Sequence, residues 1–297
     1  MRSGIVLVDK PSGMSSARVV SRVKKALGAR KVGHAGTLDP GATGLLVCLL
    51  NSATRLASFA ESGSKVYTGE IELGVRTSSD DLDGDILERS DALPSFEEVE
   101  KFLPQYIGQI AQVPPAVSAV KIDGKRAYAI ARKGEQVILQ PRQVHVERFT
   151  LSPLSRRRLN YSVLCSKGTY IRSLARDLGE DLGCGGAIAT LRREESFPFS
   201  VEEACQLDDV SWEHVISWER LFPNHPRLVV TKEEALALSG GDERVLRAVT
   251  ATTPAPEVSN LSPCIIYTSG EGGPGVGLLR WQDNCWKFGV NLGLVAE

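Results

Sequence analysis

The chain has 297 residues, of which 42% are hydrophobic and 24% charged, and its formal net charge is -1. These values are typical of a folded globular protein and exclude a largely disordered chain, and the length suits about two domains or one domain with an appendage. The apolar run before Asp9 is too short for a signal peptide and no later run could span a membrane, so we expect a cytoplasmic protein.

The first predicted elements are a strand, a helix and a loop. Residues 4–8 (GIVLV) predict a buried strand, and Ser15 or Ser16 begins a helix whose apolar stripe ends before Gly28. Residues 33–44 (GHAGTLDPGATG) contain four glycines and a proline, which exclude a regular helix or strand. We therefore predict a loop there, entered from a basic segment.

The middle of the chain mixes strands and helices without a sustained alternation. Ser95 and Glu98 form a capping-box pattern ahead of an amphipathic helix, and Asp123-Gly124 is a hairpin signal. This mixture favours an α+β fold over a doubly wound parallel sheet. The predicted strands cover 45–50, 65–75 and 159–165, and the predicted helices cover 53–61, 95–107 and 170–182.

Beyond about residue 225 the sequence changes to short apolar runs separated by Pro, Gly, Asn and Ser. This pattern predicts a small β-rich appendage, with an exposed loop over 250–263. We therefore divide the chain into a larger domain over 1–225 and a smaller one over 226–297, with an approximate boundary.

The charges are unevenly distributed along the chain. Residues 10–38 contain seven Lys or Arg and no acid, and residues 151–176 contain six Lys or Arg and no acid. Residues 70–100 carry eleven acids against two arginines. If the fold brings the two basic segments together, they form one surface for the phosphates of a nucleic acid. Ordinary solvated helix faces explain the charge pattern equally well.

Asp39 lies in the glycine-rich loop and is the first carboxylate after Asp9, within a basic stretch. A nearby cation would keep such a carboxylate ionised and lower its pKa, which makes it available as a nucleophile. A plain Asp39-Pro40 turn explains the same residues. The loop gives little support to a Walker-type phosphate site, because Gly44 is followed by Leu45 rather than by Lys and then Ser or Thr.

Candidate metal ligands are sparse in the sequence. The six cysteines include no CxxC pair, which argues against a zinc site. Residues 80–85 contain four aspartates, but their glycine lies at the wrong offset for a calcium loop. We interpret this cluster as an acidic, solvated turn and expect no metal.

The string GHAGTLDPGATGLL resembles the signature of the TruB family of tRNA pseudouridine synthases. The resemblance extends over about residues 4–200, because four further segments agree with the family in the same order. These segments are DKPSGMSS (9–16), KVYTGEIELGVRT (65–77), SKGTYIRSLARDLGEDLG (166–183) and LRR (191–193).

This resemblance implies a pseudouridine synthase core with a mixed, mainly antiparallel sheet flanked by helices. It also implies, more loosely, that the C-terminal appendage is a PUA-like RNA-binding module. The chain departs from the family pattern at Ser78-Ser79, where the family often has Asp-Thr, and at Glu194-Glu195, which follow LRR with no nearby glycine. These departures leave Asp39 untouched.

Carried over residue by residue, the resemblance implies three catalytic residues. Asp39 would be the nucleophile, and Tyr67 would stack on the target base and take part in proton transfer. Arg172 would hold the Asp39 carboxylate as its ion-pair partner.

The resemblance also implies residues that bind the substrate. His34 would enter the RNA and support the flipped-out conformation of the target nucleotide. Tyr170 and Leu191 would line the uridine pocket, and Lys10 with Pro11 would support the loop at the substrate site.

The function implied by the resemblance is isomerisation of uridine to pseudouridine at position 55 in the T-loop of tRNA, by base flipping and without a cofactor. We expect the protein to act as a monomer and without a guide RNA. Whether Asp39 attacks C1' or C6, or first assists deprotonation at C2', stays open. The alternative from another class is a non-catalytic RNA-binding or chaperone module that uses the same basic surface.

Overall fold

The structure is a computed structural model of the chain. It describes residues 2–118, 121–122, 125–126, 139–223, 225, 227–251, 264–269 and 275–292. Its strands are β1 (Gly4–Lys10), β2 (Val32–Ala35), β3 (Thr43–Leu50), β4 (Lys65–Leu73), β5 (Val75–Thr77), β6 (Ile86–Arg89), β7 (Gly108–Gln112), β8 (Lys121–Ile122), β9 (Lys125–Arg126), β10 (Arg142–Pro153), β11 (Arg158–Cys165), β12 (Gly186–Ser196), β13 (Phe199–Ser200), β14 (Cys205–Gln206), β15 (Arg227–Val230), β16 (Cys264–Ser269), β17 (Gly275–Gln282) and β18 (Cys285–Asn291). Its α-helices are α1 (Ser16–Leu27), α2 (Ala57–Ser62), α3 (Phe96–Phe102), α4 (Ile171–Asp181), α5 (Lys232–Ser239) and α6 (Glu243–Thr250).

A sheet of ten strands forms the centre of the molecule, in the order β14-β1-β3-β12-β4-β11-β10-β7, with β2 paired to β3 and β13 paired to β12. Neighbouring strands run antiparallel except β12 against β3 and β14 against β1, which are parallel. This arrangement confirms the predicted mixed, mainly antiparallel sheet with helices. Because β12 lies between β3 and β4, it brings residues far apart in the sequence to the centre of the sheet.

The two faces of β1 are covered by different layers. Val6 and Val8 belong to the buried cluster beneath α1, whereas Ile5 and Leu7 belong to a cluster that includes Trp218. Alternate residues of a strand point to opposite faces, so a continuous apolar run such as GIVLV is needed where both faces are buried. The predicted buried strand is therefore confirmed, and the reason is that layers cover both of its faces.

Capping residues in the sequence correctly predicted both ends of α1 and the start of α3. The Ser15 hydroxyl accepts the Arg18 N–H at the start of α1, and Gly28 ends the helix in the left-handed conformation. The capping box of Ser95 and Glu98 is present at the start of α3. That helix stops at Phe102 and continues as a 3₁₀ turn, where a proline interrupts α-helical hydrogen bonding.

Several predicted elements differ from the structure. The predicted loop over 33–44 is wrong at both ends, because residues 33–35 belong to β2 and residues 43–44 belong to β3. The predicted helix over 53–61 is a 3₁₀ turn followed by α2. Two long strands, β10 and β12, were not predicted. The Asp123-Gly124 turn lies outside the described residues, although β8 and β9 on either side of it pair antiparallel.

The C-terminal part forms a separate four-stranded sheet in the order β15-β16-β17-β18, with α5 and α6 between β15 and β16. This confirms the predicted β-rich appendage. Ile266 and Leu278 of this sheet pack in one cluster with Leu49 of the central sheet. The boundary near residue 225 stays a prediction, and most of the predicted loop over 250–263 lies outside the described residues.

The basic segment over 151–176 does not form the expected phosphate-facing surface. Four of its six cations form ion pairs, chiefly with acids of the 70–100 segment. The segment over 10–38 is different, because the Lys and Arg side chains of α1 are exposed. No helix in the described part of the chain is long and apolar enough to cross a membrane.

Gly44 allows β3 and β12 to approach each other closely. Its φ is +97°, and a Cβ atom there would collide with the carbonyl oxygen of Arg193 and lie 2.8 Å from its nitrogen. We expect Gly44→Ala to lower the free energy of unfolding by about 2–4 kcal/mol, measured by urea denaturation. Gly28→Ala is the control, because Gly28 also has a positive φ but no atom near the added methyl, and should cost only about 1–2 kcal/mol. Equal losses would contradict the steric explanation.

Candidate active site

Asp39 and Arg172 meet where the loop between β2 and β3 faces the start of α4. Nε of Arg172 lies 3.0 Å from Oδ2 of Asp39, and the arginine side chain is 5% exposed while the aspartate side chain is 42% exposed. Two segments that are far apart in the sequence are thus joined by one ion pair. The carboxylate is oriented from one side and open on the other.

Arg172 is itself fixed by several other acceptors. Its Nη1 donates to the carbonyl of Ser79 at 2.6 Å, and its Nη2 donates to the carbonyl of Val117 at 2.9 Å. Nη1 also lies 3.6 Å from the Asp81 carboxylate. A guanidinium presents its donors in a rigid plane, so these contacts fix the direction from which it meets Asp39.

The pKa of Asp39 is raised above that of an ordinary aspartate, contrary to our expectation that a cation would lower it. Burial has the largest effect, and the charge of Asp81 acts in the same direction. Arg172 opposes both effects, as does Lys10 more weakly. The loss of water around the carboxylate therefore outweighs the attraction of the two cations.

The interpretation of residues 80–85 as a solvated turn is wrong for Asp80 and Asp81, whereas Asp83 and Asp85 are exposed as expected. Asp80 forms an ion pair of 2.9 Å with Arg176, and Asp81 faces Arg172. Both carboxylates are largely buried. Arg172 and Arg176 are four residues apart on α4, so they lie on one face of the helix. A basic i, i+4 pair and two adjacent acids are the signal that could have predicted this contact.

Lys10 lies beneath the loop rather than in a substrate pocket. It is fully buried, and its ammonium group donates to the carbonyls of Pro11 at 3.0 Å, Met14 at 2.6 Å and Pro40 at 3.1 Å. Burial lowers its pKa to about 8, and the nearby Asp39 opposes this shift. All three donors are used by backbone carbonyls, including that of Pro40 in the loop, so Lys10 supports the loop, and its role in binding substrate stays a prediction.

A cavity of about 570 Å³ opens beside the ion pair. It brings together five of the predicted site residues, namely Asp39, Tyr67, Tyr170, Arg172 and Leu191. A second cavity of about 540 Å³ shares Asp39, Arg172 and Leu191 with the first, so the carboxylate lies at the junction of the two. Both volumes are within the range of small-molecule sites in proteins.

The two tyrosines of the first cavity are held by the surrounding fold. Tyr67 is buried on β4, which raises its pKa, and Arg193 opposes the shift. Tyr170 immediately precedes α4, and its backbone exchanges hydrogen bonds of 2.7 and 3.0 Å with the buried amide of Gln112. His34 lies on β2 and lines neither cavity, and burial lowers its pKa.

Arg193 is a residue of the cavity that the sequence analysis missed. It is 1% exposed, and it donates from Nε to the carbonyl of Leu45 at 2.7 Å and from Nη2 to the carbonyl of Gly36 at 3.1 Å. The sequence analysis named Leu191 of the LRR segment as a residue of the pocket. Because residues two apart in a strand lie on the same face, the position of Leu191 could have predicted that Arg193 also faces the pocket.

Arg192, which lies between Leu191 and Arg193 on β12, has its partners outside the first cavity. Arg192 forms two hydrogen bonds with the Asp9 carboxylate, at 3.0 and 2.9 Å, and contacts Glu194 at 3.3 Å.

Among the described residues, no three His, Cys, Asp or Glu side chains converge as metal ligands would.

Comparison with known proteins identifies the family. Residues 24–171 match the model of the TruB family pseudouridylate synthase N-terminal domain, and residues 172–224 match that of the tRNA pseudouridylate synthase B C-terminal domain. The tRNA pseudouridine synthase B of Leifsonia xyli is 47% identical over 251 residues, which cover 80% of this chain and 82% of that protein. The chain belongs to the TruB family.

Other members of the family give the same result. The tRNA pseudouridine synthase B of Brucella melitensis is 50% identical over 69% of this chain and 64% of that protein. The corresponding protein of Bartonella quintana is 48% identical over 72% of this chain and 77% of its own length. The family predicted from the sequence is therefore confirmed, and with it the prediction that the chain is a pseudouridine synthase, an isomerase.

Solved structures confirm the fold. A chain of a Cbf5-Nop10-Gar1 complex superimposes with a TM-score of 0.68 at 22% identity, over 97% of this chain and 83% of that chain. A chain of the archaeal box H/ACA sRNP Nop10-Cbf5 complex superimposes with a TM-score of 0.66 at 20% identity, over 97% of this chain and 86% of that chain. These matches include the C-terminal sheet as well as the central one.

Lys10 should contribute strongly to stability. We expect Lys10→Ala to lower the free energy of unfolding by about 2–4 kcal/mol, because three backbone carbonyls lose a charged donor. Lys24→Ala, at an exposed position of α1, should change it by less than about 0.5 kcal/mol. Urea denaturation of both variants measures the difference. A small loss for Lys10→Ala would show that water replaces the ammonium group without cost.

The pKa of Asp39 should depend on Arg172. Because Arg172 favours the charged carboxylate, Arg172→Met should raise the pKa of Asp39 further, whereas Arg172→Lys should raise it less. The carboxylate would then be protonated at a higher pH as the solution is acidified. Carboxyl ¹³C NMR measures this titration, with Asp39→Asn assigning the resonance. An unchanged pKa in the Met variant would contradict the electrostatic role.

Proposed function

We propose that this protein isomerises uridine to pseudouridine at position 55 in the T-loop of tRNA, with Asp39 as the nucleophile. The observation that carries the proposal is the Asp39–Arg172 ion pair, 3.0 Å long and placed at the junction of two cavities in a member of the TruB family. Relatives named tRNA pseudouridine synthase B support the choice of tRNA as the substrate.

The substrate must leave its place in the RNA before it can react. A uridine stacked inside a folded loop is inaccessible, so it has to be extruded at a cost of a few kcal/mol. Tyr67 and Tyr170 line the first cavity, and stacking on an aromatic ring supplies roughly 1–3 kcal/mol per base. Leu191 adds an apolar contact to the same wall. The cavity thus offers contacts that offset the loss of stacking.

The reaction needs an ionised carboxylate beside the sugar. Attack at C1', attack at C6 and proton abstraction at C2' all require charge on Asp39. Burial raises its pKa and makes it more basic, while Arg172 favours its ionised form. In each route the bond from C1' to N1 breaks, the base turns within the cavity, and C5 bonds to C1'. C5 loses its proton and N1 gains one, and any bond that Asp39 formed to C1' or C6, or any proton that it took from C2', is given up so that the carboxylate is regenerated. Atoms and electrons balance without a cofactor.

The remaining roles concern how the RNA is held. His34 lies on β2, outside both cavities and close to the loop, and from there it would contact the RNA around the extruded base. We further propose that the C-terminal sheet is a PUA-like RNA-binding module that begins near residue 226. The protein would act as a monomer and without a guide RNA.

Asp39→Ala tests the proposal. Tritium release from T-loop RNA labelled at C5 should fall by at least about 10³-fold, because the nucleophile is lost, while the Kd for RNA stays near that of the wild type. Asp85→Ala is the matched control, since Asp85 is an exposed acid that lines neither cavity. Equal release by wild type and Asp39→Ala would refute the role of Asp39. RNA binding without any release by the wild type would favour the non-catalytic module.

A further inference from the structure

Two buried cations of the first cavity have no carboxylate partner among the described residues. Arg193 is 1% exposed and Lys65 is 5% exposed, and both line the cavity that contains Asp39. Lys65 donates to two backbone carbonyls, those of Glu61 at 2.8 Å and Gly63 at 2.6 Å. Arg193 donates to two other carbonyls and is also hydrogen-bonded to the side chain of Tyr67. They differ in this from Arg172, which is paired with acids.

The two cations converge on one part of the cavity wall. A Cβ atom placed on Gly36 would lie 3.2 Å from Nη1 of Arg193 and 3.9 Å from Cε of Lys65. Gly36 has a φ of +78°, which a glycine adopts without strain. Because it has no side chain, it places no further atoms against the Arg193 guanidinium and the end of Lys65. Tyr67 lies beside Arg193 in the same wall.

Among the described residues that line this wall, no carboxylate forms an ion pair with either cation. Glu61 lines the cavity and favours the charged form of Lys65, but its carboxylate is beyond ion-pair distance from both cations and accepts the Gly36 N–H at 3.2 Å. Lys167 adds another positive charge at the exposed rim. Burial lowers the pKa of Lys65 to about 8, which leaves it largely protonated at neutral pH.

Burying unpaired charge is costly, so a structure that retains it needs a compensating partner. The cavity offers room for a ligand, and a ligand that is or becomes anionic would supply this compensation. A phosphate group of the RNA is one anion, but the two cations are almost entirely buried next to an aromatic ring. A flat ring that acquires negative charge during the reaction fits this wall better.

We infer that Lys65 and Arg193 form an anion site that stabilises the negative charge on the uracil ring while it is detached from the sugar. This inference rests on the proposed function. When the bond from C1' to N1 breaks, its electron pair passes to the ring and spreads over the carbonyl oxygens at C2 and C4. C5 then donates an electron pair to C1', and where the Asp39 carboxylate is bonded to C1' that bond breaks and its electron pair returns to the carboxylate. The proton on C5 is lost and N1 gains a proton, so the ring ends neutral.

Because this charge is present only during the reaction, its stabilisation should affect the rate and not the binding of RNA. Lys65→Gln and Arg193→Lys should each slow single turnover at saturating T-loop RNA by about 10²–10³-fold, with an unchanged Kd. Lys101→Gln, at an exposed lysine of α3 that lines neither cavity, is the matched control. Thermal melting followed by circular dichroism checks that each variant folds.

A second substrate separates charge stabilisation from a structural role. In T-loop RNA that carries 5-fluorouridine at the target position, fluorine itself stabilises the ring anion while the glycosidic bond stays free to break. The loss of 5-fluorouridine, measured by nuclease digestion and chromatography, should therefore be slowed much less by Lys65→Gln than the reaction of uridine is. If Lys65→Gln does not fold, the reactions of uridine and 5-fluorouridine are compared in Arg193→Lys instead.

The possible outcomes are distinct. Equal slowing of both substrates would show that the cations only maintain the cavity and would overturn the inference. A raised Kd with an unchanged rate would identify a phosphate site and would also overturn it. If the wild type converts uridine normally and the variants match it, only this inference fails. If the wild type converts no uridine, the proposed function fails first.

Discussion

The ion pair between Asp39 and Arg172 is the contact on which the site depends. It joins a glycine-rich loop of the central sheet to the first residues of α4, and Arg172 is held in turn by the Ser79 and Val117 carbonyls. The fold around it raises the pKa of Asp39 by burial while Arg172 limits that rise. A carboxylate in this position is more basic than a solvated aspartate, and the arginine beside it favours its charged form, as the proposed nucleophilic role requires.

The loop can present Asp39 because it is held by groups outside the cavity. Lys10 supports it from below through the Pro40 carbonyl, and the Ser16 hydroxyl both accepts the Leu38 N–H at 2.9 Å and donates to the Leu38 carbonyl at 3.0 Å. The start of α1 is therefore tied to the residue next to Asp39. These contacts are local in space but not in sequence, and they explain why a loop rich in glycine can still hold a functional group with a defined geometry.

The sequence predicted best what depends on local pattern. The ends of α1, the capping box of α3 and the continuous apolar run of β1 were found because each is encoded within a few neighbouring residues. Strand β12 was missed, because its LRREES segment is charged and its partners Asp9 and Thr68 lie far away in the sequence. The TruB resemblance supplied the roles of Asp39 and Arg172, which spacing alone did not reveal. It also named Lys10, whose burial and hydrogen bonds to backbone carbonyls depend on the tertiary structure and were not evident from neighbouring residues.

The distribution of charge follows from which cations have acidic partners. Acids of the 70–100 segment neutralise arginines over 151–176, so those residues hold elements together and contribute little free positive potential. The α1 cations remain exposed to solvent, where long-range attraction of RNA phosphates is most effective. Lys65 and Arg193 form a third class, buried and unpaired inside a cavity. The net charge of -1 therefore does not show that the cations fall into three groups, which differ in burial and pairing. The paired arginines connect elements of the fold, whereas we propose that the exposed cations attract RNA and that the two buried ones stabilise a transient anion.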